Sequence, residues 1–238
     1  MSRRSRTEYS LMNMSTSFIG YGLNIVLSFV CRMIFVRCLS EEYLGISGLF
    51  TNIISVLSLS ELGIGTAIVY ALYKPIADNN EKKIASLMNF YGKAYKIVGF
   101  FIFIVGLMCV PFLDFIIKEP PNIKENIKVI YILYLFSTAS SYFFSYRSSI
   151  ITANRKNYIV QGISYIVVII QNVFQIAVLL ITKNFMAYLI IQVVCVYITN
   201  VFISYKAKKD YPYIDAKNIE PLPKEEVWEL IKNIKALT

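Results

Sequence analysis

Three charged residues stand inside apolar stretches of this 238-residue chain: Arg32, Glu61 and Arg147. An arginine stays ionised in a low dielectric and holds phosphate or carboxylate through two parallel N–H bonds. Two such cations facing one cavity suit an anionic substrate such as a lipid pyrophosphate headgroup. A glutamate in the same cavity can pair with an arginine while the substrate is absent, or carry a coupling proton. The amides of Asn24, Gln171 and Gln175, with hydroxyls around them, suit the hydroxyls of a sugar. The set favours a polar anionic lipid over a hydrophobic cation. Each charge also has a plainer reading. Arg32 and Arg147 are long enough to snorkel to the headgroups. Glu61 can form a buried ion pair, or cap a helix break at Gly63-Ile64-Gly65.

Other chemistry is poorly served. The chain has no histidine, which argues against His-ligated metal and His-based catalysis. Cys31, Cys38, Cys109 and Cys195 show no CxxC spacing and read as small apolar fillers. No span carries a paired-carboxylate, Ser/His/Asp or metal-ligand arrangement, so an enzyme is not expected. There is no P-loop, and no cofactor is expected.

The elements that position these residues follow from composition. Hydrophobic residues make up 56% and charged residues 16% of the chain, and the mean hydropathy is +0.56. A soluble domain of this size carries about 25% charged residues. The alternative solvent is lipid, whose core a helix crosses in roughly 20 apolar residues. An all-α polytopic membrane protein is expected, with six spans at 11–36, 43–70, 94–117, 128–151, 158–181 and 185–205. At 1.5 Å per residue, Arg32 then lies ~12 Å outward of the midplane, with Glu61 ~7 Å and Arg147 ~10 Å inward.

With a net charge of +9, thirteen Lys and Arg residues fall in the segments on the N-terminal side of the membrane and five on the other. Basic loops stay in the cytoplasm, so both the N-terminus and the end of the sixth span are expected inside. The charge is thereby assigned to orientation, not to nucleic acid. No cleavable signal is evident after the basic start at residues 2–6. Residues 81–91 place Ile84, Leu87, Met88 and Tyr91 on one face, an expected elbow lying on the inner leaflet. Residues 206–238 read as a cytoplasmic linker. Its amphipathic helix carries Val227, Leu230, Ile231 and Ile234 on one face, with Trp228 beside them, and leads toward an expected second lobe.

Polar residues recur at helical spacing within the spans. Asn13, Ser17, Gly20, Asn24, Ser28, Cys31 and Arg32 form one stripe, and Thr51, Ser55, Ser58, Glu61 and Gly65 a second. Gln161, Ser164, Gln171, Asn172 and Gln175 form a third, and span four is rich in serine. Facing lipid, each unsatisfied group would cost several kcal/mol. These stripes must face one another, as packing between helices, or face a water-filled cavity.

The stretches Leu39-Ser40-Glu41-Glu42-Tyr43-Leu44-Gly45-Ile46-Ser47-Gly48-Leu49-Phe50, Ser58-Leu59-Ser60-Glu61-Leu62-Gly63-Ile64-Gly65-Thr66-Ala67 and Tyr70-Ala71-Leu72-Tyr73-Lys74-Pro75 resemble the N-terminal region of bacterial polysaccharide flippases. These are the O-antigen and capsule repeat-unit transporters of the multidrug/oligosaccharidyl-lipid/polysaccharide exporter superfamily, whose fold is called MATE-like. Tyr146-Arg147 through Tyr158 is similar to the region joining their fourth and fifth spans. The resemblance implies two pseudo-symmetric six-helix lobes, of which this chain matches the first. It implies alternating access in the cell membrane, with undecaprenyl-pyrophosphate-linked oligosaccharide as substrate and cations in the cavity. Glycosyltransferases and a glycan polymerase are the implied partners beside membrane lipids. A drug/cation antiporter of the same superfamily and a non-transporting truncated membrane protein are the competing readings.

Overall fold

The computed structural model describes residues 6–58, 64–117, 121–216 and 219–237. The basic start at 1–5, the stretch 59–63 with Glu61, and the turn at 118–120 lie outside the described residues. Among the described residues ten α-helices follow one another: α1 Arg6–Cys38, α2 Glu41–Ser58, α3 Ile64–Ala77, α4 Glu81–Cys109, α5 Leu113–Ile116, α6 Ile127–Ser145, α7 Ser148–Ala153, α8 Asn157–Thr182, α9 Phe185–Asp210 and α10 Lys224–Leu237. Short 3-10 turns occur at Val110–Phe112 and Pro212–Asp215, and no strand is found among the described residues.

Among the described residues five stretches are long and apolar enough to cross a membrane: Thr7–Cys38, Glu81–Ile116, Ile127–Ser145, Asn157–Thr182 and Phe185–Asp210. Their outward faces carry Phe18, Ile97, Phe100, Ile166, Phe174 and Phe202, all strongly exposed. A contiguous apolar surface of this kind is rare on a protein bathed in water and fits a membrane protein.

The span expected at 43–70 is described as α2 and α3, and residues 59–63 between them lie outside the described residues. Two expectations need correction. The elbow at 81–91 is not a separate interfacial helix, because α4 runs unbroken from Glu81 to Cys109. Its apolar face was correctly drawn: Ile84, Leu87, Met88 and Tyr91 are all at most 3% exposed. That face is covered by protein: α4 packs on α6, α3 and the Pro212–Asp215 turn. The stretch 128–151 also breaks, at Tyr146–Arg147, into α6 and α7. The break follows hydroxyls that bond backward along the helix: Ser140 to Ser137 O at 3.0 Å, Ser141 to Thr138 O at 2.7 Å, and Ser148 to Ser145 O at 2.7 Å. Such bonds compete with the regular ladder and bend it.

Helix ends are set by short polar side chains. Asn80, Asn126 and Asn184 accept from Lys83 N, Lys128 N and Ala187 N, capping α4, α6 and α9. Lys183 closes α8 in the left-handed region at φ 51°, and Arg155 turns the chain between α7 and α8 at φ 63°.

α8 packs between α1 and α9, and α6 packs between α4 and α9. The α4–α6 contact is close because Gly92, Gly99 and Gly106 recur every two turns on α4. A Cβ built on Gly99 would stand 2.9 Å from Tyr142 Cβ and 3.1 Å from the Ala139 carbonyl. At one end of the bundle Asn13 donates to Arg155 O at 3.1 Å and accepts from Tyr158 N at 2.7 Å. Ser86 donates to Glu220 O at the same end, and Lys83 pairs with Glu226. At the opposite end Lys128 pairs with Asp114 at 2.8 Å, Tyr43 donates to Glu125, and Phe35, Tyr43 and Phe185 cluster.

Candidate functional site

A polar cleft opens between α1 and α8 on one wall and α2 and α6 on the other, with α9 at its back. It consists of two hollows that share Tyr134 and Gln192. The outer hollow, about 300 Å³, contains Arg32 with Ser28, Ser47, Gln171, Asn172 and Gln175. The inner hollow, about 470 Å³, carries six hydroxyl residues, Thr51, Ser55, Ser58, Ser137, Thr138 and Ser141, beside the apolar Ile54, Leu189, Val193 and Val196. Both volumes fall within the range of small-molecule sites.

Each wall follows from helical spacing. Asn24, Ser28, Cys31 and Arg32 project from one face of α1, and Ser28 donates to Asn24 Oδ1 at 3.1 Å. On α8, Gln171 and Gln175 lie one turn apart, and Gln171 Nε2 donates to Gln175 Oε1 at 3.4 Å. Gln175, only 2% exposed, donates in turn to the Tyr188 carbonyl of α9 at 3.2 Å. This chain fixes the amide row and leaves Gln171 half-buried at the hollow. Asn172 turns its Nδ2 back to Val168 O at 2.8 Å. Thr51 and Ser47 donate to carbonyls one turn earlier, both at 2.7 Å. Their donors are used, so the oxygen lone pairs remain for a ligand.

Arg32 is the one cation lining either hollow among the described residues, and no acidic side chain there pairs with it. The lining is otherwise neutral. Tyr188 and Cys31 line the same hollow as Arg32. An unpaired guanidinium among fixed amides and hydroxyls provides a donor-rich seat for an anion, continuous with a neutral hydroxyl slot.

The candidate residues from sequence therefore separate. Arg32, Gln171 and Gln175 meet at the outer hollow, with Asn24 adjoining through Ser28. Glu61 lies outside the described residues. Arg147 stands apart from the cleft, at the end of the bundle where α9 ends. There it donates to Ser204 Oγ at 2.6 Å and to Asp215 Oδ1 at 2.9 Å. Asn13 serves as a link between α1 and α8. Tyr134 and Gln192, which join the two hollows, were missed from sequence. Gln192 stands alone in an apolar run, and its only signal is a polar atom at a depth where few occur. Tyr134 lies one and two turns before Thr138 and Ser141, so the hydroxyl stripe of that span could have found it.

No protein-family model, no curated protein and no solved structure matches the chain.

Proposed function

We propose that the chain is a six-helix transporter lobe that moves lipid-linked oligosaccharide across the cell membrane for polysaccharide assembly, by alternating access. The observation that carries this reading is the cleft: one unpaired arginine seated among amides, opening into a hydroxyl-lined slot without charge among the described residues. Arg32 would hold the pyrophosphate, with Gln171 and the Ser28–Asn24 pair beside it. The hydroxyls of α2 and α6, with Gln192, would meet the sugars. In this reading α2 and α3 together make the sixth crossing, and a second lobe completes the cavity. The resemblance of 39–75 to polysaccharide flippases supports the same substrate class. A cation antiporter would need an acidic cavity, and the described lining holds none.

Loss of one charge-assisted, bidentate contact costs about 1.5–3 kcal/mol, on the order of tenfold or more in affinity. Arg32→Ala should therefore cause lipid-linked repeat units to accumulate on the inner leaflet and lower surface glycan about tenfold at unchanged protein amount. Arg32→Lys, which keeps the charge without the fork, should fall between. Wild-type surface glycan from Arg32→Ala at normal protein amount would exclude the pyrophosphate seat. Efflux of a hydrophobic cation by the same cells would favour the antiporter.

A further inference from the structure

Where the chain leaves α9, two cations share one carboxylate. Asp215 ends the Pro212–Asp215 turn; its Oδ1 accepts from Arg147 Nη2 at 2.9 Å, and its Oδ2 faces Lys208 Nζ at 2.9 Å. Arg147 Nη1 donates to Ser204 Oγ at 2.6 Å, and the Tyr146 ring backs the guanidinium with its centroid 5.4 Å away. Exposure is graded outward: 15% for the Arg147 side chain, 36% for Asp215 and 48% for Lys208. The recessed cation thus lies behind a more exposed carboxylate, with a second cation at the rim. Arg147 Nε is buried and has no acceptor among the described residues. Two neighbouring cations are otherwise engaged: Lys206 pairs with Asp210 at 2.8 Å, and Lys156 sits over the Tyr211 ring at 5.5 Å.

A carboxylate offers two oxygens to this set, whereas a phosphate offers three or more at higher charge. We propose that Arg147, Ser204 and Lys208 form a phosphate seat at the inner membrane surface. Asp215 is its built-in occupant, and a phosphate-bearing lipid headgroup displaces it. The surroundings favour a lipid over a free ion. Tyr205, three residues before Lys208 and so beside it on α9, is 63% exposed, and Val201 one turn further on is 37% exposed. A charged rim therefore adjoins apolar surface. Displacement would release the Pro212–Asp215 turn, which packs on α4 and α9, and with it the path to α10. The seat is separate from the Arg32 cleft and does not depend on the transport reading.

The test is retention of short-chain phosphatidic acid by the full chain in detergent, read by native mass spectrometry, with diacylglycerol as the control lacking a headgroup. Asp215→Asn should raise phosphatidic acid retention about fivefold or more and leave diacylglycerol unchanged. Adding Arg147→Gln should abolish the gain. Lys208→Gln, at a half-exposed position whose loss does not threaten folding, should reduce it. Phosphatidic acid added to the wild type should also make the segment between α9 and α10 more sensitive to protease. If millimolar inorganic phosphate removes the gain, free phosphate is the natural occupant and the seat stands. Unchanged retention in Asp215→Asn overturns the proposal, as does a gain that survives both Arg147→Gln and Lys208→Gln.

Discussion

At the scale of single residues, Lys183 and Arg32 show how differently two cations behave. Lys183 is exposed and holds φ at 51° to end α8. A side chain in that region costs about 1–2 kcal/mol, partly offset by the ~0.5–1 kcal/mol that glycine loses in chain entropy. Lys183→Gly should therefore stabilise the protein by about 0.5–1 kcal/mol, seen as a higher melting temperature in detergent. Lys183→Ala, which keeps the Cβ, should give no such gain. Equal effects of the two variants would mean that backbone strain is not what Lys183 contributes. This turn was legible in sequence as Thr182-Lys183-Asn184, because short polar residues between two long apolar runs have few alternatives. The environment of Arg32 was legible as a stripe on α1, since a polar face at helical spacing cannot turn to lipid. Arg147 was legible only as a charge at depth. Its partners, Ser204 and Asp215, lie 57 and 68 residues away, and no local spacing carries that information.

At the scale of elements, the apolar runs located α1, α6, α8 and α9 to within a few residues at most ends. The exceptions have physical causes. α4 extends more than three turns beyond its apolar run because Ile84, Leu87, Met88 and Tyr91 continue the buried face. Amphipathicity alone does not distinguish a lipid surface from a protein surface as its cover. The Gly92, Gly99 and Gly106 seam went unread because its spacing matters only once α6 is known to be the partner. Gly99 is the most demanding of the three, since an added methyl meets a backbone carbonyl and a Cβ, neither of which can rotate away. Gly99→Ala should cost about 1–3 kcal/mol through overpacking of α4 on α6, measured as loss of folded protein on heating in detergent. Gly22, on the exposed side of α1 with nothing within 4 Å of a built Cβ, is the control. Gly22→Ala should leave stability unchanged or raise it by about 0.5–1 kcal/mol. If Gly99→Ala melts with the wild type, the close approach is not what joins α4 to α6.

At the scale of the whole molecule, the contacts sort the loops into two ends. Asn13, Lys83, Ser86, Arg147, Arg155 and Asp215 meet at one end, and Cys38, Tyr43, Asp114, Glu125 and Phe185 mark the other. The linker belongs to the first end. Burial there pushes the Tyr213 hydroxyl up to about 12, so the packed turn keeps its neutral phenol at ordinary pH. The first end also carries most of the cations, including Lys74, Lys82, Lys206, Lys208 and Lys209. Moving that many charges outward would oppose the bias that orients multi-spanning proteins, so this end should face the cytoplasm. Two exposed positions test it. Arg155→Cys marks the cation-rich end and Lys183→Cys the opposite one. The background carries Cys38→Ser and Cys109→Ser, because those two thiols are half-buried, whereas Cys31 and Cys195 are buried. In intact cells a membrane-impermeant thiol reagent should label Lys183→Cys and not Arg155→Cys, with Arg155→Cys reacting once the membrane is opened. Labelling of Arg155→Cys from outside would reverse the orientation. It would also move the Arg147–Asp215 seat to the outer surface, where a headgroup would arrive from the wrong leaflet to release the linker.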